Sequence, residues 1–284
     1  MSGAHAGGGG RPYVCGHEPR ELDRLDLQGA FYADITRRAL IDAGVGEGMR
    51  VLDIGCGSGD VTLLAADLVG PGGHVTGVDR DPGSVEAARA RAAARGVEHV
   101  AFLVGEVDAP RDPGSVDAVV GRFVLMHQDD PAATLAAAAR AVRPGGVVAF
   151  VESFMAGLLD APHSHPRSQL YDRVVRWKCA VVAAAGADVE AGVRLRRTYL
   201  EAGLPAPALR METRVEGGPD SPIYRYFAES ARSMLPMAER FGLRGVREDE
   251  VDTLEDALRR ERVATDGVLI AWPLVCAWCR VPAV

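Results

Sequence analysis

The 284-residue chain is 48% hydrophobic and 25% charged, with a formal net charge of −7, the composition of a globular protein able to bury a sizeable core. The acidic balance argues against a general affinity for nucleic acid or an anionic membrane, both of which require a basic face. No run reaches the ~18 uninterrupted apolar residues of a membrane span, and five scattered cysteines (Cys15, Cys56, Cys179, Cys276, Cys279) suit a reducing cytoplasm better than a disulfide framework.

Residues 1–12, "MSGAHAGGGGRP", have neither the charged nor the apolar region of a signal peptide and read as a disordered tail. Residues 13–47 form an N-terminal helical segment: one or two helices with apolar residues at helical spacing, stopped by Gly44. From 48 to 153 short apolar runs alternate with helical stretches. Strands are expected at 50–55, 74–79, 100–105, within 116–127 and at 146–153, with helices at 60–70, 82–96 and 130–146. Such alternation implies right-handed crossovers between parallel strands covered on both faces. The predicted fold is therefore α/β: a doubly wound, mostly parallel, seven-stranded Rossmann-like sheet with N-terminal helices and helical cap insertions. Residues 154–207 read as a first helical insertion. Residues 208–284 supply the last two strands, 208–217 and 267–282, with a second helical insertion at about 218–265. The closing strand is broken or kinked at Pro273, which suggests a place near an edge. Its "CAWC", 276–279, has redox spacing, but residues three apart on a strand face opposite sides.

The stretch "VLDIGCGSGD", 51–60, places Gly55, Gly57 and Gly59 after an apolar strand. The dinucleotide fingerprint G-x-G-x-x-G differs, because Asp60 stands where its third glycine belongs. A pyrophosphate docks on the positive end of the following helix, and Asp53 and Asp60 would repel it. Acids around a glycine turn suit a cationic neighbour, such as the ammonium and sulfonium of S-adenosylmethionine. Asp79, 20 residues after Gly59, lies where a carboxylate accepts from ribose hydroxyls.

With "VTGVDRD", "VGEVDAP", the "GRFVLMH" strand and the "VRPGG" turn in order, residues 48–152 resemble the class I S-adenosylmethionine-dependent methyltransferases, of the bacterial small-molecule type. The resemblance implies that Gly55, Gly57 and Gly59 let the backbone approach the methionine and ribose parts, while Asp53 orients the loop or meets the ammonium through water. It gives Asp79 the ribose diol, Arg80 one adenine face, Glu106 the adenine amine and Val107 a backbone N–H to the ring. Arg122 would offer a backbone carbonyl to the ammonium. Tyr13, Gln28 and Tyr32 would close over the cofactor. The lesser alternative for Asp53 and Glu106 is helix capping or loop hydrogen bonding.

Methyl transfer from a sulfonium is an in-line displacement that yields S-adenosylhomocysteine; the protein mainly aligns the nucleophile and excludes water. His127, just beyond strand four, is the first candidate base or positioning group, with a structural loop histidine as the alternative. His163 is a weaker candidate; with His165, and Glu152 or Asp160, it also reads as a metal site or a polar lid loop, of which the lid is preferred. Tyr171, Trp177, Tyr224, Tyr226 and Phe227 could line an acceptor pocket or pack the core. No Asn-Pro-Pro-Tyr type signature follows strand four, so a small-molecule acceptor with an oxygen, carbon or nitrogen nucleophile is expected. Nucleic-acid and membrane partners and a resident metal are not expected; a homodimer is compatible with the sequence. The arginine- and alanine-rich composition suggests bacterial secondary metabolism. The alternative reading is a protein of the same fold that uses S-adenosylmethionine for cyclisation or rearrangement, or holds it structurally.

Overall fold

The computed structural model describes residues 19–108 and 112–283. Helix α1 (Pro19–Ala43) turns Phe31, Tyr32, Ile35, Ala39 and Leu40 inward, and Gly44, at φ +88°, ends it. Alternating units follow: β1 (Arg50–Ile54), α2 (Asp60–Val69), β2 (His74–Asp79), α3 (Pro82–Ala94), β3 (Val100–Val104), β4 (Val116–Arg122), α4 (Pro131–Ala139) and β5 (Val142–Ser153). Asp81 and Asp130 cap α3 and α4 by accepting from Ser84 and Ala133 N–H, each with proline at the first helical position. Beyond β5 lie β6 (Ser164–His165), α5 (Gln169–Ala184), α6 (Ala191–Glu201), β7 (Ala208–Glu212), β8 (Val215–Gly217), α7 (Ile223–Arg240), α8 (Glu248–Ala264), β9 (Val268–Ile270) and β10 (Leu274–Arg280).

The main sheet has the order β3-β2-β1-β4-β5-β10-β7, parallel except for β10, which runs antiparallel to both neighbours. β6, β9 and β8 form a separate antiparallel sheet. This is the Rossmann-like sheet expected, with corrections at its carboxyl-terminal side. The single strand expected over 208–217 is two strands in different sheets, and so is the one over 267–282. Both switches occur at one corner: β7–β10 pairing ends at Glu212↔Leu274, and β8–β9 pairing begins at Val215↔Ile270. Thr213 and Arg214 exchange hydrogen bonds with Ala271 there (Thr213 Oγ1 to Ala271 O, 2.8 Å; Ala271 N to Arg214 O, 2.9 Å). Pro273 precedes β10, so its missing N–H costs the corner no ladder bond, and β10 lies near an edge as expected, one strand in from the outermost β7. Cys276 and Cys279 fall into separate buried clusters on opposite faces of β10.

Of the two helices between 154 and 207, α6 lies on the sheet: Tyr199 donates its hydroxyl to Ala277 O at 2.9 Å. α5 instead joins α1, α7 and α8 in the largest apolar cluster, which covers the carboxyl ends of β4 and β5. Gly59 shows how tightly the first unit packs. At φ +84° its added Cβ would lie 2.9 Å from Ala88 Cβ and 3.0 Å from the Phe102 ring. Gly59→Ala should therefore destabilise the protein by about 2–4 kcal/mol, combining a left-handed backbone with overpacking. Urea denaturation should show a lower midpoint with an unchanged slope.

Candidate active site

The strand order reverses between β1 and β4, and the crevice outside a reversal point is where ligands bind in doubly wound sheets. A cavity of about 270 Å³ opens there and continues beneath α1, α5 and α7. Its floor is the turn after β1. Gly55 (φ +66°) and Gly57 (φ +51°) line it; a Cβ at Gly55 would collide with Val124, whereas one at Gly57 would stand in open space. Gly59 does not line the cavity; it brings α2 close to α3 and β3.

Three acids surround this turn, in three different states. Asp79 lines the cavity and accepts from Gly57 N–H (2.8 Å) with one oxygen and Asp81 N–H (3.0 Å) with the other. A carboxylate has about four lone-pair sites, so each oxygen retains accepting capacity. Asp53 is fully buried and outside the cavity lining, accepting from Thr62 Oγ1 at 2.6 Å. Burial raises its pKa to about 7, with Thr62 and Arg122 opposing. Asp60 pairs with the Arg122 guanidinium, which also donates to Thr36 Oγ1 at 2.9 Å. Burial draws the Arg122 pKa down to about 10 against the pull of Asp53.

After β4 the backbone enters a left-handed conformation at Phe123 (φ +58°), uncommon for a bulky residue. The next turn is held by Glu152, whose Oε1 accepts from Val124 N–H (2.9 Å) and Leu125 N–H (2.7 Å). His127 closes that turn and faces the cavity. Arg80, Glu106 and Val107 line the end near β2 and β3; Gln28 lines it from α1. β1–β4 pairing stops at Asp53↔Val120, which leaves the Arg122 backbone beyond the last strand contact on that side.

The structure thus brings together Gly55, Gly57, Asp79, Arg80, Glu106, Val107, Arg122, Gln28 and His127 around one cavity. Other expected residues lie elsewhere. His163 is buried between Ala161 O (2.9 Å) and Asp172 Oδ1 (2.8 Å). Tyr171 donates to Ile270 O, Trp177 to Leu243 O and Tyr224 to Gly218 O, all away from the cavity. Their rings serve packing. Tyr13 lies outside the described residues. Among the described residues no group of three or more His, Cys, Asp or Glu is placed to hold a metal ion.

The part of the cavity under α5 and α7 is lined by Tyr226, one of the aromatic residues expected there, with Ser230 and Met234 on α7 and Lys178 and Val182 on α5. Tyr32, Ser153, Met155 and Trp272 complete it. A readable signal existed for Lys178. It interrupts the otherwise apolar stripe of Val174, Val175 and Val182, and it is the only lysine in the sequence.

The fold and this cavity are those of the class I S-adenosylmethionine-dependent methyltransferases. The chain belongs to the methyltransferase-domain family, whose model matches residues 46–190. It is 36% identical over 137 residues to aklanonic acid methyltransferase DauC of Streptomyces sp. (strain C5), a match covering 48% of this chain and 61% of that one. It is 33% identical over 118 residues to demethylmenaquinone methyltransferase of Staphylococcus aureus, covering 41% and 48%. The chain thus spans about half the length of these curated relatives. The YcgJ protein of Bacillus subtilis shares the fold, at 16% identity and a TM-score of 0.57, over 88% of this chain and 99% of that one.

Burial pushes the Glu152 carboxyl up to about 7 from its ordinary 4.5, against the backbone N–H groups that favour its charge. A raised carboxyl binds its proton more tightly folded than unfolded, so its contribution to stability falls as pH rises from about 4.5 to 7. Glu152→Gln removes that dependence. The stability difference, variant minus wild type, should grow by about 3 kcal/mol across this window, as read by urea denaturation at pH 4.5 and 8.

Proposed function

We propose that the protein transfers a methyl group from S-adenosylmethionine to a small-molecule acceptor, and that its acceptor belongs to secondary metabolism. The observation that carries this reading is the continuity of the cavity from the Gly55–Gly57 turn and Asp79 to a largely apolar chamber under α5 and α7. Relatives named for aklanonic acid and demethylmenaquinone support a small acceptor. Buried, unpaired thiols at the four described cysteines suit a reducing, cytoplasmic setting.

The residues present fit the cofactor. Asp79 has accepting capacity for two ribose hydroxyls, and the Gly57 cradle is open. Glu106, Val107 and Arg80 line the cavity and would meet adenine, and the Arg122 backbone, beyond the last β1–β4 pairing, would meet the ammonium. Asp53 acts indirectly, by fixing Thr62 of α2 behind the turn. When bound, the cofactor supplies a methyl group already activated on a sulfonium. The protein holds donor and acceptor in line and keeps water out, which is the role of the cap helices. His127, which lines the cavity, would serve as the base or positioning group.

Calorimetry with S-adenosylhomocysteine tests the cofactor assignment. Asp79→Ala should weaken binding by about 1–3 kcal/mol, or roughly ten- to hundredfold; unchanged affinity removes Asp79 from the site, and NAD binding in place of S-adenosylhomocysteine would overturn the reading. In an assay for S-adenosylhomocysteine release over small acids, phenols and amines, His127→Ala should lower kcat by about 10²-fold or more if it is the base, with little change in cofactor affinity. Undiminished turnover leaves His127 structural. An acceptor that rearranges without S-adenosylhomocysteine release would favour the non-methylating alternative.

A further inference from the structure

We infer that Lys178, with Ser230, Tyr32 and Ser153, forms the seat of an ionised acceptor oxygen, so that the acceptor is an apolar molecule carrying a carboxyl or an acidic hydroxyl. The inference rests on reading the cavity as a methyl-transfer site and adds the chemistry of what enters it.

Lys178 is 1% exposed yet lines the cavity. Every other basic residue of the Lys+Arg set is arginine, so this site alone carries a lysine. Lysine is a compact charge with three rotatable donors, whereas arginine is a rigid planar fork. Burying an ammonium is costly unless its surroundings compensate. Here its amine donates to Ser230 Oγ and lies 4.1 Å from the Phe227 ring centroid, 5.4 Å from that of Tyr226 and 6.0 Å from that of Trp272. Ring faces attract the cation without consuming N–H donors.

A second observation points to the same ligand atom. The buried hydroxyls of Tyr32 and Ser153 both belong to cavity-lining residues; that of Ser153 makes no hydrogen bond, and that of Tyr32 has only the Tyr226 phenol beside it. A buried unmade hydrogen bond is destabilising, and a ligand oxygen would satisfy it. Burial holds the Tyr32 and Tyr226 phenols protonated, hence donors. Groups of both signs line the cavity: Asp60, Asp79, Asp81 and Glu106 stand with Arg24, Arg80 and Arg122 on α1 and around β2–β4, and the Lys178 amine stands among Tyr226 and Trp272.

An acidic acceptor loses its proton to solvent before or on binding. One oxygen lone pair then forms the new O–CH₃ bond as the C–S bond breaks. The C–S electron pair stays on sulfur, giving the thioether and a neutral ester or ether. Lys178 binds and orients the oxyanion and takes no proton in this step.

The test uses the whole protein loaded with S-adenosylhomocysteine. The probes are 2-naphthoate, anthraquinone-2-carboxylate and 4-nitrophenolate, each set against its uncharged counterpart: 2-naphthamide, anthraquinone-2-carboxamide and nitrobenzene. The carboxylate and phenolate arms separate the two sources of the oxyanion. At least one ionised probe should bind about tenfold or more tighter than its counterpart. Lys178→Met should abolish that preference, with S-adenosylhomocysteine affinity within about twofold of wild type; Ser230→Ala, which keeps the amine, should retain part of it. With lysine labelled at Cε, the protein gives a single side-chain resonance, which should shift with the ionised probe alone. The inference is overturned if no ionised probe binds, if ionised and neutral probes bind alike, or if the preference survives Lys178→Met. Loss of S-adenosylhomocysteine binding by the wild type would instead overturn the underlying functional reading.

Discussion

The buried ion pair between Arg122 and Asp60 is the constraint on which the site depends. It joins the last residue of β4 to the first residue of α2, and through Thr36 it reaches α1. Three separate chain segments are thereby held around one crevice. Breaking such a pair from one side leaves an uncompensated buried charge, which costs more than the pair contributes. The arrangement therefore persists whole. It also decides the local charge, because Asp60 is neutralised by Arg122, and Asp53, raised to about 7, is only partly ionised at neutral pH. Of the three acids, Asp79 and Asp60 line the cavity, and Asp60 does so already paired with Arg122.

A similar division of labour holds the acceptor side. Phe123 is forced into a left-handed conformation directly after β4, and Glu152 secures the following turn through two backbone N–H groups. β4 and β5 thus act as a pair: one carries the residues that face the cavity, the other carries the carboxylate that fixes their backbone. His127 is placed by this turn, so its position depends on a group that never touches the cavity. α5 and α7 then each lend a single helical stripe to the chamber. The remaining faces of those helices pack the largest apolar cluster.

The first five strands and three of their helices were legible because their signals are local: apolar runs, proline starts and glycine stops. The glycine turn and Asp79 were legible for the same reason, since one strand, one turn and one strand end lie close in sequence. The corner at Thr213–Arg214 and Ala271–Pro273 was not, because a switch between sheets is set by pairing across 58 residues. Nor was the acceptor chamber. Trp177 and Lys178 are neighbours in sequence, but the helical rotation between them sends one ring towards Leu243 and the other side chain into the cavity. Tyr224 and Tyr226 part in the same way. Composition could name these aromatic residues but not the face each would occupy.

The acids around the glycine turn also acquire a different physical meaning. Read from the sequence, Asp53 and Asp60 excluded a pyrophosphate by repulsion. In the fold, Asp53 is too buried to repel much, and the charge of Asp60 is matched by Arg122. What excludes a pyrophosphate is occupancy. The positive end of a helix is a ready anion site, and at α2 the Asp60 carboxylate occupies the first helical residue, itself anchored to Arg122. A phosphate approaching this helix start would meet an anion already paired with Arg122. A ligand whose polar groups are hydroxyls and an ammonium needs no such seat: Asp79 and the Arg122 backbone, beyond the last β1–β4 pairing, would serve it. The departure from the dinucleotide fingerprint at Asp60 is thus a change in who supplies the anion, the ligand or the protein, and here the protein supplies it.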